Sequence, residues 1–418
     1  MRKLIILAII VAAVGWAEAA TYYVDSEIGR DDPSRNGGRL EPWQTLSYAL
    51  ERASGANTFM CRGFFQEEIT VRDDDGGSTF VANGEAILKG YLATKECLRP
   101  VFLRDFQVDG NATAGTSSYL SVDECRFTNP ARIALILHGP TSSLSVRDSV
   151  VANAEYGAYG TGEYSGIYFY DTHIADCAEG VCIVNYAVWG ISGCRLERVA
   201  GAALDIKEAG GSARNTEFYD NDTALKAVYG GLEAAYGYVS DCVFRGNGLA
   251  VVVNVDPEAK SRFSLERNDV RNNTLNGLEL SGDDVYARGN VVTGNGGHGV
   301  YITEDAPDLG TPGDPGGNTL AGNKSGYDVY NASPENIPAY GNTWDPQSEA
   351  EMNGKTWQEV NVTRIYDRWD DPDVGYVMWS EPMLGVAPAS LGQIKASFKG
   401  GPTSGQAGLG RKPSASEE

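Results

Sequence analysis

Asn268-Asp-Val-Arg-Asn-Asn273, Asn290-Val-Val-Thr-Gly-Asn295 and Asn318-Thr-Leu-Ala-Gly-Asn323 are one phrase written three times. In each, an apolar residue stands two places after the first Asn, and a second Asn stands three places after that. Working outward, the apolar anchor recurs at Phe127, Val151, Ile174, Leu196, Phe218, Phe244, Val270, Val292, Leu320 and Trp344, at intervals of 22 to 28 residues. The column two places before it reads Cys125, Ser149, Thr172, Cys194, Thr216, Cys242, Asn268, Asn290, Asn318, Asn342. Three places after it stand Asn221, Asn247, Asn273, Asn295 and Asn323, with Cys177 in an earlier repeat. Period-2 apolar runs follow, as in Leu249, Val251, Val253 and in Val300, Ile302, the mark of strands with one buried face.

A unit this short cannot bury its own apolar face, so the units must stack about 4.8 Å apart and share a continuous core. Stacking sets like above like, and buried Asn amides then bond along their column. Hairpin turns of a sandwich or propeller would not keep two Asn columns in phase over so many repeats. The expected fold is all-β: a single-stranded right-handed parallel β-helix of about ten coils, with repeats over residues 101–344.

The two ends carry further motifs. Thr21-Tyr-Tyr-Val-Asp25, Gly29, Asp31-Asp32 and Glu41-Pro-Trp-Gln-Thr-Leu46 open the chain, and Gly341-Asn-Thr-Trp344 and Ile365-Tyr-Asp-Arg-Trp-Asp-Asp-Pro-Asp-Val-Gly375 close it. With the repeat, these make residues 21–384 resemble the pectate-lyase-like superfamily of secreted β-helix proteins. The resemblance implies the fold and leaves activity open, since one fold hosts many functions. A helix opening at Pro42, with Trp43, Leu46, Ala49, Leu50 and Ala53 along one face, is expected to cap the N-terminal end. Residues 345–384, which break the repeat and carry Trp357, Tyr366, Trp369, Tyr376 and Trp379, are expected to cap the other.

Met1-Arg-Lys3, the apolar run Leu4–Val14 and Ala17-Glu-Ala19 have the three parts of a secretory signal peptide over residues 1–19, with the form of a bacterial leader. Its apolar core is too short for a transmembrane span and no later segment approaches one, so a secreted or cell-surface location is expected. The domain then covers residues 20–384. Residues 385–418, rich in Gly, Ser and Ala, form a low-complexity tail with Lys395, Lys399, Arg411 and Lys412, expected to be a disordered linker or attachment segment. A net charge of -22 argues against nucleic acid as a partner and favours cations. Of the seven cysteines, Cys125, Cys177, Cys194 and Cys242 fall in interior columns as small buried side chains, while Cys61, Cys97 and Cys182 are open to pairing.

Three constellations bear on chemistry. Gly296-Gly-His-Gly-Val300 resembles the Gly-His-Gly element of polygalacturonase-type glycoside hydrolases, which need facing carboxylates. The Asp pair Asp283-Asp284 falls in a turn and out of column, so His298 reads as a turn residue. Asp205, Lys207 and Lys226 project from two adjacent coils; lyases of this fold neutralise a uronate with Ca²⁺ or a cationic side chain and use Lys or Arg as the base, which makes this trio the candidate catalytic set. Finally, Tyr156, Tyr159, Tyr164, Tyr168, Tyr170, Tyr186 and Trp189 crowd together, and flat rings with a polar tip suit sugar faces along an extended polymer. The alternative for these rings is packing ladders along a sheet. The acidic run Asp367, Asp370, Asp371, Asp373 is a weaker candidate for Ca²⁺. The partner expected from this pattern is an extracellular acidic polysaccharide, bound and, if cleaved, cleaved by a lyase rather than a hydrolase. The competing class is a non-catalytic surface protein using the helix as a rigid scaffold.

Overall fold

The computed structural model describes residues 19–381 apart from 129, 131, 232 and 233. The expected leader up to residue 18 and the tail 385–418 lie outside the described residues. The chain winds into a right-handed parallel β-solenoid of about 12 turns. Each regular turn contributes three strands; one turn consists of Ala202–Lys207, Gly211–Arg214 and Glu217–Tyr219. The first strands of successive turns form a 13-stranded parallel sheet, here the first face. The second and third strands form the second and third faces and belong to a 23-stranded parallel sheet.

The anchor column pairs in register from Phe127 through Val151, Ile174, Leu196, Phe218, Phe244, Val270, Val292 and Leu320 to Trp344. Phe65, Leu88 and Val108 extend it towards the N-terminus, over turns that lack the Asn columns. All are buried, and each stabilises the fold by about 1.5–3 kcal/mol relative to exposure. The corner between the second and third faces is a single residue in the left-handed region. Asp148, Asp171, Asn215, Asp241 and Arg267 adopt φ of 47 to 56° there, and Gly193 and Gly289 replace them in other turns. That requirement explains the Asp, Asn and Gly recurring before the anchors, since these residues enter this region at least cost.

Both Asn columns are hydrogen-bonded ladders. Asn290 receives the Nδ2 of Asn268 on its Oδ1 (2.9 Å) and donates its own Nδ2 to Asn318 Oδ1 (3.0 Å) and to the carbonyl of Leu265 (2.9 Å). The backbone N–H of Asn268 also donates to Asn290 Oδ1, at 3.0 Å. Every polar atom of that amide is therefore paired, which is why Asn is tolerated 1 % exposed. The second ladder runs Asn221, Asn247, Asn273, Asn295, Asn323 and ends on the buried carboxylate of Asp328. Arg364 closes it with two bonds to Asp328, at 2.7 and 3.0 Å.

The N-terminal helix differs from expectation in its start. Pro42 and Trp43 lie outside the helix, with Trp43 bridged to Val24, and helix α1 spans Leu46–Arg52. Thr45 caps it by accepting from Tyr48 N–H (3.2 Å), and the Glu67 carboxylate takes the free N–H groups of Leu46 and Ser47, both at 2.9 Å. Strand pairing of Trp43 competes with helix and prevails, because its N–H and carbonyl are held by Tyr23 and Asp25. The apolar set Trp43, Leu46, Ala49, Leu50 and Ala53 is nevertheless buried together. A second helix, α2 (Pro346–Met352), follows the last anchor and is capped by Asp345.

All seven cysteines are unpaired and buried, including Cys61, Cys97 and Cys182. Burial pushes the Cys125 thiol up to about 12 and Cys182 up to about 11, so thiolate chemistry is suppressed.

Candidate functional site

Side chains alternate in and out along each strand. On the first face one outward column therefore reads, turn by turn, Tyr159, Cys182, Asp205, Lys226, Val252, Glu279, Tyr301, Tyr330, Tyr366. At about 4.8 Å per step it is roughly 38 Å long. This stretch has tyrosines on either side of a charged middle, and the column continues towards the N-terminus through Ile136, Thr113, Ala93 and Thr70.

The C-terminal end is the more elaborate. Tyr330 and Tyr366 stack with centroids 4.1 Å apart and planes 2° from parallel. The imidazole of His298, in the turn before the strand Val300–Glu304, packs 4.6 Å from Tyr330, 5.6 Å from Tyr301 and 5.8 Å from Tyr327. Ser325 Oγ lies 2.9 Å from its Nδ1. The backbone N–H of His298 donates to Asn276 Oδ1 (2.7 Å), whose Nδ2 donates to Glu279 Oε1 (2.7 Å). His298 is thus a turn residue, as the sequence predicts, but one locked into an aromatic cluster rather than standing in water. Burial lowers its pKa, keeping the ring neutral at pH 7. The neighbouring Tyr330 hydroxyl pushes the Tyr366 phenol up to about 12. His298, Tyr301, Tyr327, Tyr330 and Tyr366 are all partly exposed, so the cluster offers ring surface and polar edges to a ligand.

The candidate trio occupies the charged middle of this face. Lys207 Nζ pairs with Asp205 Oδ2 at 2.8 Å, and Asp205 neighbours Lys226 in register. The hydrogen bond that Lys207 donates to Asp205 raises the Lys207 pKa, which holds that amine protonated, the wrong state for a general base. Lys226 is exposed and, among the described residues, makes no ion pair. Asp205 Oδ1 is buried with no hydrogen-bond partner. The paired carboxylates of a glycoside hydrolase do not assemble here. Asp205 and Glu279 are three turns apart, roughly 14 Å, against the roughly 5–9.5 Å such chemistry needs. Asp283 and Asp284 are used locally, accepting from Ala306 N–H (3.0 Å) and the Tyr286 hydroxyl (3.1 Å).

The aromatic concentration at residues 156–189 does not form one surface. Tyr156 and Tyr159 meet edge to face on the first face, with centroids 6.3 Å apart. Tyr168 and Tyr170 lie on the second face, the latter beneath Arg147 at 4.6 Å. Tyr164 and Tyr186 sit in turns at φ 57° and 61°. Trp189 is 1 % exposed, its Nε1 bonded to the carbonyl of Ala209 at 3.1 Å, and belongs to the core. Closeness in sequence is no guide here, because a solenoid distributes one turn over three faces.

Among the described residues no group of three or more His, Cys, Asp or Glu side chains is placed to hold a metal ion. In the acidic run, the carboxylates serve the backbone: Asp367 accepts from Trp369 and Val377 N–H (2.9 and 3.0 Å) and Asp371 from Asp373 N–H (2.9 Å).

The family profile described as "Right handed beta helix region" matches residues 110–256 and 179–344. The chain belongs to this family of right-handed β-helix proteins. Its structure is similar to that of pectate lyase Pel9A, at 14 % identity and TM-score 0.41, covering 66 % of this chain and 80 % of that one. It is also similar to the mannuronan C-5 epimerase AlgE4 A-module of Azotobacter vinelandii, at 15 % identity and TM-score 0.40, covering 72 % and 88 %. A rhamnogalacturonan lyase aligns at 12 % identity and TM-score 0.36, covering 65 % and 87 %. Likeness at this level concerns the fold alone. Among curated protein sequences none matches significantly.

Proposed function

We propose that this is a secreted or cell-surface protein that binds an extended extracellular polysaccharide along its first face. The observation that carries the reading is the register-aligned outward column, with the Tyr301, Tyr330, Tyr366 and His298 cluster at its C-terminal end and Tyr156 and Tyr159 further back on the same face. Rings spaced by the sheet repeat meet a linear polymer at several sugars, and the polar edges beside them can bond its hydroxyls. The leader-like start supports secretion, and no helix among the described residues is long and apolar enough to cross a membrane.

The test is retention in affinity gels cast with pectic, alginate and glycosaminoglycan polymers, after a glycan-array screen. Tyr301→Ala and Tyr330→Ala are expected to weaken binding roughly threefold to tenfold each, while Tyr168→Ala, on the second face, leaves it unchanged. Equal retention of all three variants, or no binding to any polymer, would favour the rigid-scaffold role instead.

A second reading, β-elimination of an acidic polymer at the charged middle, is favoured by the unpartnered Asp205 Oδ1 beside the unpaired Lys226. Uronate polymer incubated with the protein would then gain ultraviolet-absorbing unsaturated ends, lost in Lys226→Ala. Binding without that signal leaves a binding protein.

A further inference from the structure

On the second face a cleft of about 440 Å³ opens between the strands Arg262–Glu266 and Val285–Arg288 and the loop 309–318. That loop stands where regular turns carry a second-face strand, leaving only the bridge Tyr286–Asp308. Along the outward column Tyr238, Ser264 and Tyr286 are successive, so the small Ser264 makes a low floor between two rings.

Three guanidinium groups line this cleft, and two are fully engaged. Arg267 makes two 2.9 Å bonds to Asp241 and one of 3.0 Å to Glu266. Arg288 is held by Asp308 (2.7 Å) and Asp314 (2.9 Å). Arg262 is different: it is exposed, lies with Cζ 3.9 Å from the centroid of Tyr286, and among the described residues has no side-chain hydrogen bond or ion pair. Stacking holds its plane while its N–H edges stay free, the arrangement that receives a planar or tetrahedral anion through paired bonds. Four residues along the same strand, Glu266 accepts from the Tyr238 hydroxyl (2.8 Å) as well as from Arg267, and Asp314 stands largely exposed on the loop. Carboxylates so placed accept from hydroxyl groups.

We propose that this cleft binds a small polyhydroxylated anion, a sugar unit bearing one carboxylate or sulfate, with the anion on Arg262 and the hydroxyls on Glu266 and Asp314. The volume lies within the roughly 300–1,000 Å³ of small-ligand sites. The site is independent of the first-face reading, because it lies on a different face and shares no residue with it.

Ligand-observed NMR and calorimetry on the purified protein test this with methyl glucuronide, glucose 6-sulfate and methyl glucoside as probes. Saturable binding of one or both anions, at least about tenfold tighter than the neutral glucoside, is expected. Which of the two binds more tightly tells carboxylate from sulfate. Arg262→Gln, an exposed substitution, should remove that preference, and Ser264→Trp should block all three probes by filling the floor. Tyr330→Ala should change nothing. The proposal is overturned if no probe binds, if the anions bind no better than the glucoside, or if Arg262→Gln leaves the preference intact in a folded protein.

Discussion

At the scale of single residues, the molecule is governed by polar groups that are buried and paired. Removing Asn290 leaves Asn268 N–H and Nδ2 without their acceptor and Leu265 O without its donor. Asn290→Leu is therefore expected to cost about 1–3 kcal/mol in urea unfolding, against less than about 0.5 kcal/mol for an exposed turn position. Asp367 makes a different case. Burial pushes its pKa up to about 6, while its bonds from Trp369 and Val377 N–H act the other way. The raised value means that the folded state binds the proton more tightly than the unfolded chain, whose Asp titrates near 3.9. Its contribution to stability is complete below about pH 4 and is lost as pH rises through about 6. Carbon-detected NMR should find its carboxyl titrating near 6; a midpoint near 4 would mean that water reaches it.

At the scale of elements, the strand pattern was readable because the solenoid repeats the same positions. Phe218, Phe244 and Val270 are three turns of one column, and their neighbours Thr216, Cys242 and Asn268 are another, so periodicity alone identifies inward positions. The start of α1 was not readable, because Trp43 is claimed by Val24, a partner remote in sequence. The candidate site was legible only in part. Tyr301, Tyr330 and Tyr366 share a local signal, a Tyr set between inward residues in Val300-Tyr-Ile302, Val329-Tyr-Asn331 and Ile365-Tyr-Asp367. They lie too far apart in sequence to count as a cluster, whereas Tyr156 to Trp189 look like one and are spread over two faces, turns and core. The closing element of the second ladder depends on one ion pair. Arg364→Met removes both bonds to Asp328, which is 0 % exposed, and should cost about 3–5 kcal/mol, since it leaves a buried charge alone. Adding Asp328→Asn should recover part of that loss in thermal melts; a single variant as stable as the parent would show that water or another cation serves Asp328.

At the scale of the whole molecule, the turns are uniform at one corner and unequal at the other links. The corner between second and third faces is a single left-handed residue wherever it is regular, whereas the link between first and second faces is Glu208–Gly210 in one turn, and in another the loop 305–318 replaces both the link and the second-face strand. A few extra Gly-Ser residues at Gly313, where an added Cβ would meet nothing within 4 Å, should shift stability by less than about 1 kcal/mol in urea unfolding. One extra residue beside Asp241 should unfold the neighbouring turns, because it sends inward side chains outward. Heredity therefore has an unequal hand in this protein. Extra length fits the looser links and not the tight corner, so a chain of this kind can take on new specificities by lengthening those margins while the spine beneath them stays as it was.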